Sequence, residues 1–197
     1  MSEFWNQRYA AEAFAYGTEP NHFFKDQVEK MKPGKILFPA EGEGRNAVFA
    51  AQLGWEVTAF DISSEGKRKA EQLASQNGVK LNYLIAGYED IQFEPETFDC
   101  IALVFAHMSA ANRTEYHNKM VSFLKPGGFL LLEGFGKKQI NYTSGGPRDF
   151  KMLYSKTELE TDFQQLSILQ VDEAEVELNE GDFHKGVAAV VRVVGKK

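Results

Sequence analysis

Cysteine is nearly absent from this sequence, which contains one, Cys100, among 197 residues. A single cysteine excludes an internal disulfide and a cysteine-ligated metal cluster. Because Cys100 lies within an apolar run, we expect a small buried side chain there rather than a reactive thiol. His107, His117 and His184 show no spacing of the HxxxH type, so we predict no metal site.

Long hydrophobic runs and clusters of positive charge are also missing. No stretch approaches the ~20 apolar residues of a membrane-spanning helix, and no basic segment followed by an apolar one opens the chain, so we expect a cytoplasmic protein without membrane contact. The formal net charge of −6 disfavours binding to phosphate backbones. We therefore predict a small-molecule substrate and no nucleic acid, in a monomer or a homodimer.

Apolar segments of strand type alternate with helical ones from residue 35 onward, which is typical of βαβ units and a parallel sheet. The last two predicted strands have no helix between them, so they should pair antiparallel. Predicted strands cover residues 35–39, 56–60, 80–85, 98–105, 129–132, 166–178 and 186–194, and predicted helices cover 46–53, 63–78, 112–124 and 155–163.

This order predicts an α/β fold with a Rossmann-like, doubly wound sheet of seven strands. The sheet is mostly parallel and has an antiparallel C-terminal strand pair. A composition of 43% hydrophobic residues without a long linker indicates a single domain over residues 1–197. We expect residues 1–32 to form an N-terminal helical lid region and residues 33–197 the Rossmann-like core.

A glycine-containing loop between the first strand and its helix is the most informative segment. Gly42 and Gly44 allow backbone angles closed to other residues and a close approach of a ligand. The helix that follows offers free N–H groups to a carboxylate. Asp61 closes the second strand, where an acid binds the hydroxyls of a ribose. The pattern predicts a nucleoside site; the alternative is a tight turn with Asp61 capping the next helix.

The spacing of the loop does not by itself separate two nucleoside cofactors. The third fingerprint position is Ala47, which a dinucleotide site tolerates. Glu41 and Glu43, however, would repel a pyrophosphate, whereas they suit a sulfonium and an ammonium group. This charge favours S-adenosylmethionine (SAM) over NAD.

The segment ILFPAEGEGRNAVFAAQLGWEVTAFDIS, residues 36–63, resembles motif I and the acidic position after it in class I SAM-dependent methyltransferases. The chain is similar in particular to the small bacterial branch of tellurite-resistance and thiopurine methyltransferases. The likeness continues through FDCIALVFAHM (98–108), LKPGG (124–128) and YGTEPN (16–21), and so covers nearly the whole chain.

This resemblance implies a SAM-dependent methyltransferase. It places the methionine part of SAM on the glycine loop and beside the end of the fourth strand, the ribose on Asp61, and the adenine against Ile62 and the loop 86–90. The cofactor-binding residues that it implies are Ala40, Glu41, Gly42, Gly44, Asp61, Ile62, Tyr88, Glu89 and Phe105.

Three positions depart from the family pattern. The family commonly has Asp at Phe38, Gly at Ala40 and Asp at Gly87; the last Asp contacts the adenine amino group, a role that Glu89 could take. These departures leave open a non-catalytic SAM- or nucleoside-binding relative. An NAD-dependent oxidoreductase is a further alternative, against which the LKPGG turn and the antiparallel strand pair argue.

Methyl transfer needs alignment, exclusion of water and sometimes removal of a proton, so no universal catalytic residue is expected. His107, after the fourth strand, is our candidate base or substrate contact; alternatively it bonds the backbone. We expect the N-terminal aromatic residues to form a lid and His22 and His117 to lie on the surface. The candidates for the substrate pocket, with packing as their alternative, are Tyr16, Tyr142, Tyr154 and His184.

Overall fold

The computed structural model describes residues 2–197, except for the side chain of Ile168. The helices are α1 (Ser2–Tyr9), α2 (His22–Val28), α3 (Arg45–Gln52), α4 (Ser64–Gln76), α5 (Arg113–Phe123) and α6 (Lys156–Asp162). The strands are β1 (Lys35–Pro39), β2 (Glu56–Asp61), β3 (Asn82–Ile85), β4 (Phe98–Val104), β5 (Leu124–Phe135), β6 (Ile168–Asn179) and β7 (Lys185–Lys196). Two short 3₁₀ helices, Lys137–Asn141 and Phe150–Met152, lie between β5 and α6.

The seven strands form one sheet in the order β3-β2-β1-β4-β5-β7-β6. The first five strands are parallel, and β7 runs antiparallel to both β5 and β6. This confirms the predicted Rossmann-like sheet with its antiparallel C-terminal pair. Strands are added to one side of β1 up to β3 and to the other side from β4 onward, so the carboxyl ends of β1 and β4 border a crevice of the kind in which doubly wound folds bind ligands.

Apolar layers cover both faces of the sheet, which explains why β1 and β4 are continuous apolar runs. One layer joins α5 and α6 to β4 and β5, and the other joins α2 and α3 to β1 and β2. Cys100 is fully buried in the second layer, and burial raises the pKa of its thiol. The expected small buried side chain at this position is confirmed.

Two helix starts follow the predicted capping chemistry. The Ser63 hydroxyl accepts a hydrogen bond from the Gly66 N–H at the start of α4. At α6, Ser155 and Glu158 form the reciprocal bonds of a capping box. Such side chains accept from N–H groups that the first helical turn leaves unpaired. Each cap typically stabilises the folded protein by about 1 kcal/mol. No helix among the described residues is both long and apolar enough to cross a bilayer.

The structure differs from the sequence-based expectation at two places. The predicted turn 125–128 is an irregular part of β5, held because Gly127 donates to the Lys197 carbonyl and Lys197 donates back to Gly128. The prediction of a surface position for His117 is wrong. Its ring is fully buried on α5, where Nδ1 lies 2.8 Å from an oxygen of Asp162 on α6.

Candidate functional site

The carboxyl ends of β1, β2 and β4 bring the predicted cofactor residues to one edge of the sheet. Pro39 pairs with Phe60, so the next residues, Ala40 and Asp61, lie at the same level. The parallel register between β1 and β4, in which Leu37 pairs with Ile101, brings the ends of these strands, Pro39 and Val104, to the same edge, and Phe105 follows directly. The glycine loop, Asp61 and Phe105 therefore border one crevice.

The glycine loop adopts backbone conformations that few residues allow. Gly42 and Gly44 have φ values of 63° and 88°, and Ala40 has 52°. Ala40 thus adopts a left-handed conformation, which favours glycine, at a position where the family commonly has glycine, and it does so at a modest strain cost. At Gly44, an added Cβ would lie 2.5 Å from the Cβ of Ala70, so a side chain there would force α4 away from the loop.

Asp61 joins the second strand to the glycine loop. One carboxylate oxygen accepts from the Gly42 N–H at 3.0 Å, and the other accepts from the Ser63 N–H at 2.9 Å. The residue is buried, and burial raises the pKa of Asp61 to about 6 although these N–H groups favour the charged form. The alternative of a structural Asp is therefore partly realised, since Asp61 supports the turn before α4.

Glu41 occupies the helix terminus that the sequence suggested as a ligand site. One oxygen of its carboxylate accepts from the N–H groups of Asn46 and Ala47, at 3.0 and 2.8 Å. Burial raises the pKa of Glu41 to about 7, against the pull of these bonds and of Arg45. The expectation that α3 offers free N–H groups to a ligand carboxylate is wrong for these two groups, because the chain satisfies them itself.

Glu43 is directed into the protein and not toward a ligand. Its carboxylate lies 2.6 Å from the ammonium nitrogen of Lys69 on α4 and accepts from the Ala15 N–H at 2.8 Å. The charge of Glu43 is therefore neutralised within the chain. The sequence predicted that both glutamates disfavour a pyrophosphate. Only Glu41 is partly exposed, so only Glu41 is placed to act on a ligand in this way.

The loop after β3 lies beside Asp61, whose carbonyl accepts from the Ala86 N–H at 3.0 Å. Ile85, at the end of β3, is 55% exposed, an unusual position for a large apolar side chain. An atom added at Gly87 would lie 2.8 Å from a carboxylate oxygen of Glu89, so Glu89 fills the space beside the position where the family commonly has Asp. Tyr88 packs edge-on against Phe60, and no described residue bonds its buried hydroxyl.

The third departure from the family pattern is a replacement of polar by apolar contacts. Phe38 is fully buried, and its ring packs edge-on against Phe24 of α2 with the ring centroids 5.3 Å apart. Phe38 therefore holds α2 by apolar packing, where an Asp at this position would form hydrogen bonds.

Helix α1 lies over the glycine loop. An added Cβ at Gly42 would be 2.6 Å from the hydroxyl oxygen of Tyr9, and Trp5 stacks on Tyr9. The amide oxygen of Asn6 accepts from the Ser63 hydroxyl at 2.7 Å, which ties α1 to the start of α4. Buried Tyr9 and partly buried Trp5 therefore cover the cofactor loop from the solvent side.

A second group of candidates surrounds Phe105. The rings of Tyr16, Phe105 and Phe135 lie 4.4, 4.5 and 5.1 Å from that of His184, centroid to centroid. His184 Nδ1 lies 3.4 Å from Glu180, which also accepts from Arg45 at 2.8 Å. The structure thus places Tyr16 and His184 together, as candidates for one pocket. Sequence reasoning missed Phe135, Glu180 and Arg45; only the four-residue spacing of Glu180 and His184 signalled a pair.

His107 has no ring nitrogen free for a substrate. Nδ1 lies 2.8 Å from the Met152 carbonyl, and Nε2 accepts from the Phe135 N–H at 2.9 Å. Because a carbonyl only accepts, Nδ1 carries the proton, and burial lowers the pKa of His107 to about 4. The structure corrects the prediction of a base here: His107 is the backbone-bonding histidine of the alternative.

The two tyrosines beside the Gly145–Gly146 loop have different surroundings. Tyr154 is 1% exposed and donates to the Ala106 carbonyl at 2.9 Å. Its position corrects the pocket prediction, because the ring is buried, stacks on His107 and packs closely against Gly134. Tyr142 is partly exposed and lies 2.6 Å from Glu175 of β6, away from the Phe105 group, so its role in a pocket stays a prediction.

Comparisons with known proteins agree with this arrangement. The profile of the family described as "Methyltransferase domain" matches residues 36–128. The chain is 33% identical over 118 residues to the ubiquinone/menaquinone biosynthesis C-methyltransferase of Geotalea daltonii, which covers 55% of this chain and 49% of that protein. The chain thus spans about half the length of the curated relatives that it matches.

Two solved structures share the fold. TehB from Haemophilus influenzae superposes with a TM-score of 0.73 and 17% identity over 100% of this chain and 66% of that one. A SAM-dependent methyltransferase from Aquifex aeolicus gives a TM-score of 0.62 and 17% identity over 88% of each chain. Residues 36–128 thus resemble methyltransferase domains in sequence, and the chain as a whole shares the fold of these two solved structures, one of which is a SAM-dependent methyltransferase.

Proposed function

We propose that this chain transfers a methyl group from SAM to a small-molecule acceptor in the crevice between the glycine loop and Phe105. The observation that carries the proposal is the direct bond from the Gly42 N–H to Asp61, which unites the loop and the acid of a nucleoside site. The bound cofactor supplies an electrophilic methyl group on a sulfonium. The protein must hold that group, align the acceptor and exclude water.

The residues at the crevice suit the parts of the cofactor. Gly42 and Gly44 leave the loop without side chains, and the partly buried Glu41 carboxylate suits the positive charges of the methionine part. Asp61 retains acceptor capacity beyond its two N–H bonds, because a carboxylate has about four lone-pair sites, and these suit ribose hydroxyls. Exposed Ile85 and partly buried Ile62 supply apolar surface for the adenine.

We assign the remaining predicted cofactor contacts to the neighbouring loops. Glu89, beside Gly87, is placed to accept from the adenine amino group in place of the family's Asp, while Tyr88 supports this loop through its packing. Phe105 and Ala40 border the methionine part. The N-terminal region 1–32 acts as the lid, because the α1 residues Trp5 and Tyr9 cover the loop.

A non-catalytic SAM-binding relative is the second candidate. It is favoured by Glu41, whose carboxylate already takes the N–H groups of Asn46 and Ala47. Such a protein would bind the cofactor and its demethylated product without turnover. Methylation of any thiol, amine or hydroxyl acceptor would exclude it.

The proposal is tested by isothermal titration of the protein with SAM and with S-adenosylhomocysteine (SAH). We expect saturable binding that Asp61→Ala weakens by about tenfold to a hundredfold, the value of one or two bonds to a charged group. Asp99→Ala is the matched control, because Asp99 pairs with exposed Lys125 near the start of β4, at the opposite edge. Absence of binding by the unaltered protein, or equal binding by Asp61→Ala, would contradict the site.

The class of acceptor is part of the proposal. The relative from Geotalea daltonii is named for quinone biosynthesis, and its matched region covers about half of that protein. We therefore propose a small molecule without assigning a quinone. A cytoplasmic location and a monomeric or homodimeric state stay predictions.

A further inference from the structure

His184 lies in an aromatic enclosure formed by Tyr16, Phe105 and Phe135. The residue is 5% exposed, and all three rings lie within 5.1 Å of its own, between centroids. Gly145 also packs directly against the His184 ring, since an added Cβ there would lie 2.7 Å from its Cδ2 atom. This enclosure adjoins the candidate cofactor crevice, because Phe105 borders both.

Glu180 determines which nitrogen of His184 carries the proton. Burial would raise the pKa of Glu180, but the bond to His184 and the charge of Arg45 outweigh it and lower that pKa to about 2. Asn21 donates a further bond at 3.0 Å. Glu180 is therefore ionised and can only accept, so the proton lies on Nδ1 of His184 and the lone pair on Nε2.

Nε2 is the free end of this pair. No described residue bonds it, and it is not among the fully buried unpartnered atoms, so it retains contact with solvent. Burial lowers the pKa of His184, and the charges of Arg45 and Arg8 act in the same direction against Glu180. The ring is thus neutral at pH 7 and able to accept a proton. Tyr16 and His107 are the other titratable groups beside it.

On the premise of the proposed function, we propose that Nε2 of His184 accepts the proton of the methyl acceptor, which is a phenol or a thiol on a planar apolar body. The acceptor's O–H or S–H bond breaks, its proton forms the N–H bond of the imidazolium, and its electron pair stays on the heteroatom as the nucleophile. Glu180 and Arg45 act as positioning residues. Glu180 stabilises the imidazolium, and Arg8 and Arg45 stabilise the anion.

The walls of the enclosure support this class of acceptor. The rings of Tyr16, Phe105 and Phe135 pack on the His184 ring itself, so the surroundings of Nε2 are apolar and favour an acceptor that arrives neutral on an apolar body. Arg8 lies at the mouth, with its guanidinium carbon 3.9 Å from the centroid of the Phe183 ring, and donates to the Tyr16 hydroxyl at 3.1 Å. The apolar surroundings suit the acceptor while it is neutral. The positive charge of Arg8 suits the acceptor once it is anionic.

The probe is 4-nitrophenol, because only its ionised form absorbs visible light. We expect the protein with bound SAH to produce the phenolate absorption at a pH below the probe's own pKa. His184→Gln, which cannot accept the proton, should abolish this signal while SAH affinity stays within about twofold by titration. His22→Gln is the control, since His22 is an exposed histidine on α2 with only an exposed aspartate as its ion-pair partner.

Two further measurements make the test independent of misfolding of one variant. Glu180→Gln should weaken the phenolate signal and lower the pKa of His184 in an NMR titration. With SAM in place of SAH, single-turnover methylation of 4-nitrophenol should fall by about a hundredfold or more in His184→Gln, the usual contribution of a general base. Its rate in the unaltered protein should rise with pH and level off once His184 is neutral.

The inference is overturned if His184→Gln binds SAH and still ionises the probe. It is equally overturned if the unaltered protein binds SAH but ionises neither 4-nitrophenol nor the thiol thiophenol at a pH below the pKa of each probe. Failure of the unaltered protein to bind SAH or SAM instead contradicts the proposed function, and the inference with it. SAH titration therefore separates the two failures.

Discussion

Glu43 of the glycine loop and Lys69 of α4 form an ion pair of 2.6 Å in the interior, with side chains only 3% and 1% exposed. Lys69 also donates to the carbonyls of Ala11 and Ala13, and Glu43 accepts from the Ala15 N–H. One pair of opposite charges thus connects the cofactor loop, α4 and the segment that follows α1. The N-terminal region and the glycine loop share this anchor.

Removal of one member of this pair should destabilise the protein. Lys69→Met leaves the Glu43 carboxylate buried and uncompensated, which costs about 3–5 kcal/mol in comparable pairs. Lys67→Met on the same helix breaks only the exposed pair with Glu71 and should cost about 0.5 kcal/mol or less. Urea unfolding followed by circular dichroism measures both. Similar losses in the two variants would contradict a special role for the Glu43–Lys69 pair.

Glu41 should make the cofactor-free protein sensitive to pH. Its folded pKa of about 7 lies above the ordinary 4.5, so its contribution to stability is complete below pH 4.5 and is lost as the pH rises through 7. Glu41→Gln keeps an acceptor for the N–H groups of Asn46 and Ala47 but does not titrate. The variant should therefore gain stability over the unaltered protein between pH 4.5 and 8, on the order of 3 kcal/mol at most.

The difference between the two proteins is the quantity to measure, because buried His107 acts in the opposite sense with a pKa lowered to about 4. The unfolding free energy is determined in urea at several pH values, with Glu71→Gln as the exposed control. A difference between Glu41→Gln and the unaltered protein that does not change with pH would show that Glu41 is not perturbed.

Asp162 should be a principal source of acid sensitivity. It accepts from His117, Arg113 and Thr114, bonds that outweigh burial and lower its pKa to about 2. Its stabilisation is present above the ordinary pKa of 3.8 and is lost as the pH falls from there toward 2. Asp162→Ala removes the buried acceptor that His117 and Arg113 share and leaves Arg113 only its partly exposed partner Glu158, so it should cost about 3–5 kcal/mol at pH 7.

The matched control for that variant is Asp26→Ala. Asp26 faces His22 at 3.4 Å on the exposed side of α2, where a histidine–aspartate pair is worth about 0.5 kcal/mol. Thermal and urea unfolding compare the two variants. A loss in Asp162→Ala as small as in the control would contradict a stabilising role of the buried pair.

Gly145 should be required for the position of His184. Its φ of 133° and a Cβ contact of 2.7 Å to the His184 ring mean that Gly145→Ala displaces the histidine, at a cost of about 1–3 kcal/mol. Gly78→Ala imposes a similar left-handed backbone, with φ of 67°, in open space, and should cost about 1–2 kcal/mol. Only Gly145→Ala should shift the His184 ring signals in NMR spectra and weaken ionisation of 4-nitrophenol.

Local sequence signals sufficed for the scaffold. The continuous apolar run 98–105, the cap at Ser63 and the capping box at Ser155 each depend on residues close in sequence, and the structure has β4, α4 and α6 in those places. The absence of a helix between the last two strands likewise sufficed for their antiparallel pairing. Steric and hydrogen-bonding preferences of neighbouring residues decide such elements, so they can be recognised without knowing the fold.

Contacts between distant residues could not be recognised in this way. The sequence alone suggested surface exposure for His117, a base at His107 and two glutamates facing a ligand. Asp162, Phe135 and Lys69 determine the actual environments of His117, His107 and Glu43, from 45, 28 and 26 residues away. The identity of a polar residue shows what it can bond, while tertiary packing decides what it does bond and how far it is dehydrated. The sequence thus determined the fold and the place of the glycine loop. Tertiary packing alone determined that His107 has both ring nitrogens bonded, whereas His184 keeps one that no described residue bonds.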